Sequence, residues 1–335
     1  MERKVGSDIL FLNESDIKAT SISIEETIDV VEDTYRLYSS GLAVNKAKLA
    51  TWLEAFDEPK KMITVLPAYI GSQNVGGMKL GGLNFDNPIK RRIPSHHFMT
   101  ILQDGESMVP IAVLESSYLT LLRTAANGAI GMKYLGSKHA HTVTLVGAGA
   151  QSILQLKALS KVMKIEKVYI NDIRKELATS FQREMSTELG VDIEATDSLE
   201  KAISKSDVTC LVTSADESVL RYRWVKKGAL ISSFGVFQQC DFQTIKKVDK
   251  IVVDHIRQTL EMGELAKWAE KGWLSASNIY AELSDVITGK KNGRENDDEV
   301  ILFVPIGMGM LDIAMANLVY KKAIKMSVGQ TLKLR

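Results

Sequence analysis

The chain has two cysteines among its 335 residues, Cys210 and Cys240, and neither has a cysteine or histidine beside it at metal-ligand spacing. That excludes a disulfide framework and leaves two reduced thiols, as expected of a cytoplasmic protein. The five histidines form no ligand pattern, so no metal is expected. Charge of one sign is also missing. Lys plus Arg total 42 and Asp plus Glu 41, and a net charge of +1 gives no electrostatic case for nucleic acid or an anionic membrane. No apolar run approaches the roughly 20 residues that span a bilayer. The opening MERKVGSDILFLNESD lacks the apolar stretch and small-residue cleavage site of a secretory signal, so no membrane association is expected. Internal repeats and low-complexity segments are absent too. What is there is a soluble globular composition, 45% hydrophobic and 25% charged, long enough for two domains.

Residues 23–41 read as an amphipathic helix, with Ser23 as N-cap, Glu26 completing a capping box and Gly41 as the stop. The β-rich pieces AKLATWLEAF, KMITVLPAYIG, VGGMKLGGL, HFMTILQD and MVPIAVLES follow. Turn signals at Asp57-Glu58-Pro59, Asp86-Asn87-Pro88 and Asp104-Gly105 separate them, which predicts a largely antiparallel sheet. A helix rich in Leu and Ala spans 116–136. Beyond it, apolar strands alternate with helices, the pattern of a parallel, doubly wound sheet. The polar run TGKKNGRENDDEV, 288–300, reads as a solvated loop, and a last helix follows Gly307 and Gly309.

In HTVTLVGAGAQSILQLKAL, residues 141–159, a buried strand runs into Gly147 and Gly149 and then into a helix. Two glycines there let the backbone turn sharply and let a ligand approach the main chain. The helix from Ala150 aims its N-terminal dipole at that ligand, a good place for a pyrophosphate. The third glycine of the dinucleotide fingerprint is replaced by Ser152, so the motif by itself also suits a simple tight turn. The next strand ends at Asp172, at the spacing of the carboxylate that hydrogen-bonds a ribose 2′-OH. This favours NAD over NADP; Arg174 keeps the phosphorylated cofactor open, and a helix N-cap is the structural alternative for Asp172.

In GGMKLGG, residues 76–82, Lys79 stands between two glycine pairs. So much glycine in a strand suggests a close backbone approach or a bound ligand. A lysine held there acts as general acid and base if burial lowers its pKa toward neutrality; the alternative is a solvated edge-strand lysine. Arg123 interrupts an apolar helix face beside Thr124, Ala125 and Ala126, where a guanidinium suits a ligand carboxylate. An exposed helix arginine fits the same pattern.

Over nearly its whole length the chain resembles the ornithine cyclodeaminase/μ-crystallin family. The resemblance rests on LPAYIG (66–71), GGMKLGG, DNP before IPS (86–95), IAVLESSYLTLLRTAANGAIGMKYL (111–135), VGAGAQ (146–151), VTSADESVL (212–220) and GMGMLDIAMANLVYKKA (307–323). It implies an α/β architecture: a Rossmann NAD-binding domain, residues 123–307, and a β-rich α+β domain, residues 1–122 with 308–335, for substrate binding and homodimerisation. By the same resemblance Lys79 is the active-site lysine beside the substrate carboxylate, and Arg123 holds that carboxylate near the cofactor. Lys48 stands where the family has a substrate-binding arginine, which keeps the charge and loses the fork. Ala150 and Gln151 match the pyrophosphate loop, Asp172 the adenosine-ribose carboxylate, and Thr213 and Ser214 the nicotinamide side. Thr124, Gly147, Gly149, Arg174, Phe234, Gly235 and Gly307 are placed with them around NAD.

One position departs from the pattern. Ornithine cyclodeaminases and the family's alanine dehydrogenases carry an aspartate after the strand that here reads ISSFGVFQQCDF, and Phe237 takes its place, with Asp241 four residues on. The segment 280–314 resembles the family branch of NAD-dependent siderophore-pathway dehydrogenases that oxidise N-(2-amino-2-carboxyethyl)-L-glutamate. The expected function is an NAD-dependent oxidoreductase working on the C–N bond of an amino acid or N-(carboxyalkyl) amino acid. The rivals are cyclodeamination of ornithine with catalytic NAD and a μ-crystallin-like protein that binds dinucleotide and a small ligand.

Overall fold

The computed structural model describes residues 6–56 and 58–334, so Asp57 of the first turn signal lies outside the described residues. The chain divides into two compact units, one of residues 1–123 with 308–335 and the other of residues 124–307.

The strands of the first unit are β1 (Asp8–Leu12), β2 (Ala43–Asn45), β3 (Leu49–Leu53), β4 (Glu58–Ile70), β5 (Val75–Asn84), β6 (His96–Asp104) and β7 (Pro110–Glu115). Those of the second are β8 (Thr142–Val146), β9 (Lys167–Asn171), β10 (Asp192–Ala195), β11 (Val208–Leu211), β12 (Leu230–Ser233), β13 (Lys250–Val253), β14 (Ala281–Glu282) and β15 (Ile301–Val304). The last strand, β16 (Gln330–Lys333), returns to β1.

In the first unit the order is β16-β1-β7-β6-β5-β4-β2, with β3 also paired to β4. Among the described residues pairing is antiparallel except between β1 and β7. The helix Ile24–Ser39 begins in the expected capping box, Ser23 Oγ accepting from Glu26 N at 3.0 Å and Glu26 Oε2 from Ser23 N at 2.8 Å. The C-terminal helix Gly309–Met326 packs on β4, β5, β6 and this helix, and its residues 309–317 are all buried. Two of the β5 glycines let β6 come close. A Cβ on Gly81 would come within 2.1 Å of His97 O, and one on Gly77, at φ +149°, within 2.0 Å of Ile101 O. Close approach of the neighbouring strand therefore explains Gly77 and Gly81, one of the two readings open to these glycines; at Gly82 a Cβ would meet only Met62 O at 3.7 Å.

The second unit's sheet runs β10-β9-β8-β11-β12-β15-β13-β14 and is parallel at every pairing among the described residues. Strands β8, β11, β12, β13 and β15 are buried along their whole length, as a sheet covered on both faces requires. Strand order reverses between β8 and β11, so the crevice outside their carboxyl ends is the ligand-binding place of such a sheet.

The 288–300 segment is the largely exposed loop expected, with residues 289–292 and 295–298 open to solvent, and it is anchored at a few points. Buried Lys250 donates to Gly293 O at 2.7 Å and pairs with Glu295 at 2.5 Å and Glu299 at 3.0 Å. Arg294 donates to Leu135 O at 2.9 Å and Glu299 O at 2.5 Å. A strand lysine and a loop arginine fasten it down.

Candidate active site

In the first unit Lys79 sits in the middle of β5, paired with Leu66 of β4 and Thr100 of β6. Its side chain is 2% exposed. The Nζ donates to Asp312 Oδ1 at 2.8 Å and to Thr120 Oγ1 at 3.3 Å, and it lies 4.6 Å from the centre of the Phe98 ring. Arg123, also buried, donates from Nε to the same Asp312 Oδ1 at 3.1 Å. One carboxylate oxygen thus serves two cations. The other, Asp312 Oδ2, is buried and receives no hydrogen bond among the described residues.

Half-buried Lys48, between β2 and β3, adds a third positive charge whose field reaches Lys79. Burial pulls the Lys79 pKa down to about 7; the Asp312 charge opposes this, while Arg123 and Lys48 reinforce it. Burial raises the Asp312 carboxyl, but Lys79 and Arg123 more than reverse that and leave it below the ordinary range. His96, at the start of β6, is pushed down to about 4 by burial and then by Lys79, Lys48 and Arg123, so its imidazole is neutral. Its Nδ1 lies 2.7 Å from Ser95 Oγ. The cluster is cation-rich and buried, and its lysine is held near a pKa of about 7.

In the second unit nearly all the expected cofactor residues stand just past the carboxyl ends of strands. Gly147 has φ +105°, which an L side chain resists, and a Cβ there would press on Val212 O at 2.7 Å. Gly149 is the N-cap of the helix Ala150–Leu159, with φ −85° and no side-chain cap. A Cβ on Gly149 would meet no protein atom within 4 Å. The chain's own packing sets no demand for glycine there, and the space in front of the helix end is open. Ser152 explains the missing third glycine, since its buried hydroxyl donates to Gly147 O and ties helix to turn. Asp172 accepts from Ala148 N at 2.8 Å and Arg174 N at 2.9 Å, so the carboxylate steadies the glycine turn and reaches the start of the next helix. Arg174, rather than Asp172, is that helix's N-cap. Between them Ile173 is 97% exposed, an apolar surface that the sequence reading passed over.

Thr213 and Ser214 follow β11, and Phe234, Gly235 and Phe237 follow β12. Gln239 Nε2 donates to Thr213 O at 2.5 Å and joins these two loops. Gly307, after β15, donates to Asp254 Oδ2 at 2.5 Å and accepts from Gln258 Nε2 at 2.8 Å. Asp241 is committed elsewhere: as N-cap of the helix Phe242–Lys247 its Oδ1 accepts from Thr244 N at 2.8 Å, Thr244 Oγ1 at 2.7 Å and Tyr222 N at 3.3 Å. Thr124 is half-buried on the helix Ser117–Leu135.

The fold gathers Lys48, Lys79 and Arg123 into one cluster, and it adds Asp312, Thr120, His96 and Phe98, which the sequence reading did not single out. For Asp312 a signal existed, a lone carboxylate inside the apolar helix stretch GMLDIAMANLV. For Thr120 and Phe98 there was none, because their partnership with Lys79 is tertiary. Among the described residues no group of three His, Cys, Asp or Glu is placed to hold a metal ion, and no helix is long and apolar enough to cross a membrane.

A sequence model of the ornithine cyclodeaminase/mu-crystallin family matches residues 8–327. The N-((2S)-2-amino-2-carboxyethyl)-L-glutamate dehydrogenase of Staphylococcus aureus is 31% identical over 338 residues, covering 98% of this chain and 100% of that protein. Two solved structures are similar along nearly the whole chain. The Δ1-pyrroline-2-carboxylate reductase of Thermococcus litoralis, in complex with NADH and L-proline, has a TM-score of 0.91 and 31% identity, covering 96% of this chain and 99% of that one. An archaeal alanine dehydrogenase dimer with bound NAD has a TM-score of 0.90 and 31% identity, covering 98% and 100%.

Proposed function

The chain belongs to the ornithine cyclodeaminase/mu-crystallin family, and from that premise we propose that it is an NAD-dependent oxidoreductase of the C–N bond next to a carboxylate. Its substrate class is an amino acid, an N-(carboxyalkyl) amino acid or the corresponding imine. The observation that carries the reading is the buried cluster of Lys79, Arg123 and Asp312. Two buried cations with Lys48 nearby suit a substrate carboxylate, and Asp312 Oδ2, buried without a donor among the described residues, suits an N–H on the neighbouring carbon. The relatives support this, since one is an N-((2S)-2-amino-2-carboxyethyl)-L-glutamate dehydrogenase and another binds NADH with L-proline.

Bound NAD supplies the hydride acceptor, or NADH the donor. In the oxidative direction the α-carbon loses hydride, the nitrogen loses a proton and a C=N bond forms, which water then splits into an oxo acid and an amine. Arg123 and Lys48 fix the carboxylate. Lys79, with its pKa near 7, takes the nitrogen's proton in oxidation and returns it in imine reduction. Asp312 holds Lys79 in place, and neutral His96 lines the pocket without adding charge. The unit of residues 1–123 with 308–335, which takes in Arg123 beyond the expected boundary, serves as the substrate and dimerisation domain, and 124–307 as the dinucleotide domain. Thr124, Gly147, Gly149, Ala150, Gln151, Asp172, Arg174, Thr213, Ser214, Phe234, Gly235 and Gly307 serve NAD, and Phe237 shapes the substrate side. The active form is a cytoplasmic homodimer, in keeping with the dimeric alanine dehydrogenase.

Two outcomes test this. Ornithine with NAD should give no proline and ammonia, because Phe237 carries no proton acceptor and the Asp241 carboxylate is tied up capping a helix. An N-(carboxyalkyl) amino acid with NAD, or a simple α-imino acid with NADH, should give turnover seen at the NADH absorbance band. Proline from ornithine would overturn the assignment. For the cofactor, fluorescence titration should show NADH bound more tightly than NADPH, since the Asp172 carboxylate repels a 2′-phosphate. Asp172→Ala should narrow the gap, and equal binding by the unaltered protein would refute this role.

A further inference from the structure

Glu264 lies in the turn between the helices Ile256–Glu261 and Ala266–Glu270, is 0% exposed and carries no role so far. Its two oxygens hold three donors of one loop. Oε2 accepts from Ser233 Oγ at 2.7 Å and Gln239 N at 2.9 Å, and Oε1 from Cys240 N at 2.9 Å. Ser233 ends β12, and Gln239 and Cys240 close the loop that leaves it, so one carboxylate pins both ends of the segment carrying Phe234, Gly235 and Phe237. The Gln239 side chain then reaches the loop after β11 through Thr213 O. It also covers Gly235, where a Cβ would come within 2.3 Å of Gln239 Nε2.

We propose that Glu264 is a positioning residue for the cofactor's nicotinamide end, holding the Phe234–Gln239 loop directly and the Thr213–Ser214 loop through Gln239. The inference rests on the NAD-binding reading. An amide cannot accept from all three donors, because its NH2 faces a backbone N–H; a protonated carboxyl turns its proton to Ser233 Oγ and holds the two backbone N–H groups more weakly than the carboxylate does. Burial pushes the Glu264 carboxyl up to about 7, against the pull of the Cys240 and Gln239 N–H groups and Ser233. The titratable group against it is the Cys240 thiol, itself pushed well above its ordinary value by burial and then by Glu264 and Asp241, so the thiol stays protonated. The loop is therefore fully clasped in alkaline solution and loosens as pH falls through about 7.

The test is titration of the full-length protein with NADH, followed by fluorescence from about pH 6 to about pH 9, for the unaltered chain and for Glu264→Gln. The unaltered protein should lose affinity toward the acid end. The variant should bind roughly 10-fold more weakly at the alkaline end and show little pH dependence, as expected when hydrogen bonds to a charged group are lost. Equal affinities with the same pH profile would overturn the proposal. Gln239→Leu, which leaves both backbone bonds to Glu264 in place, should weaken NADH as well; unchanged binding there would remove the Thr213 leg. If Glu264→Gln does not fold, a flat profile in the unaltered protein refutes the proposal and a falling one supports it. Failure of the unaltered protein to bind NADH at any pH would count against the NAD reading itself.

Discussion

Lys79→Met should reduce kcat by at least about 10²-fold while leaving NADH affinity nearly unchanged, the loss typical of a removed general acid and base. Methionine keeps the length and apolar stem of lysine, so β5 and its helix contacts are retained and the loss belongs to the proton. The unaltered enzyme should show the matching pH dependence. Amine oxidation needs Lys79 neutral and rises as pH climbs through about 7; imine reduction needs it protonated and falls over the same range. Both limbs should vanish in the variant, and near-normal turnover would make Lys79 a structural residue. Stability carries the same signature. Because Lys79 drops from 10.5 to about 7 in the fold, the unfolded chain binds more protons between those values. Its contribution is therefore fully present above about 10.5 and lost as pH falls through about 7.

Asp312→Asn should be the most damaging single change to the fold, costing about 3–5 kcal/mol in denaturant unfolding if both cations keep their charge. The cost arises from leaving Lys79 and Arg123 buried without their shared carboxylate. Part of it is escaped when Lys79 gives up its proton, so the midpoint of the pH–rate profile should move below about 7. An unchanged midpoint together with unchanged stability would show that Asp312 does not hold the pair.

Much of this was legible in local pattern. Alternation marked the first sheet, and the change to strand–helix repetition marked the second. Gly147, Gly149 and Asp172 carried the dinucleotide signal because a sharp turn and a strand end are local events. Lys79 and Arg123 stood out because charge there breaks an apolar or glycine-rich run. Asp312 did not, because a single acid in a helix reads as a polar edge until its partners, 233 and 189 residues away, are known. The polar run 288–300 announced an exposed loop, but its anchor, a buried lysine in β13, was not legible because nothing in the loop announces it. Ser152 looked like a defect in a glycine motif, yet its hydroxyl takes the position's structural duty.

The first unit is built from both ends of the chain, with the second unit inserted between Arg123 and Met308. On the ribosome this fixes an order of events. Every strand and helix of the inserted unit has emerged before the helix Gly309–Met326 exists, and domains generally fold as units during synthesis. The earlier sheet waits through that interval with the apolar face that will receive the helix still uncovered and Lys79 without its acid. Synthesis of the helix Gly309–Met326 covers that face and gives Lys79 its acid in one event.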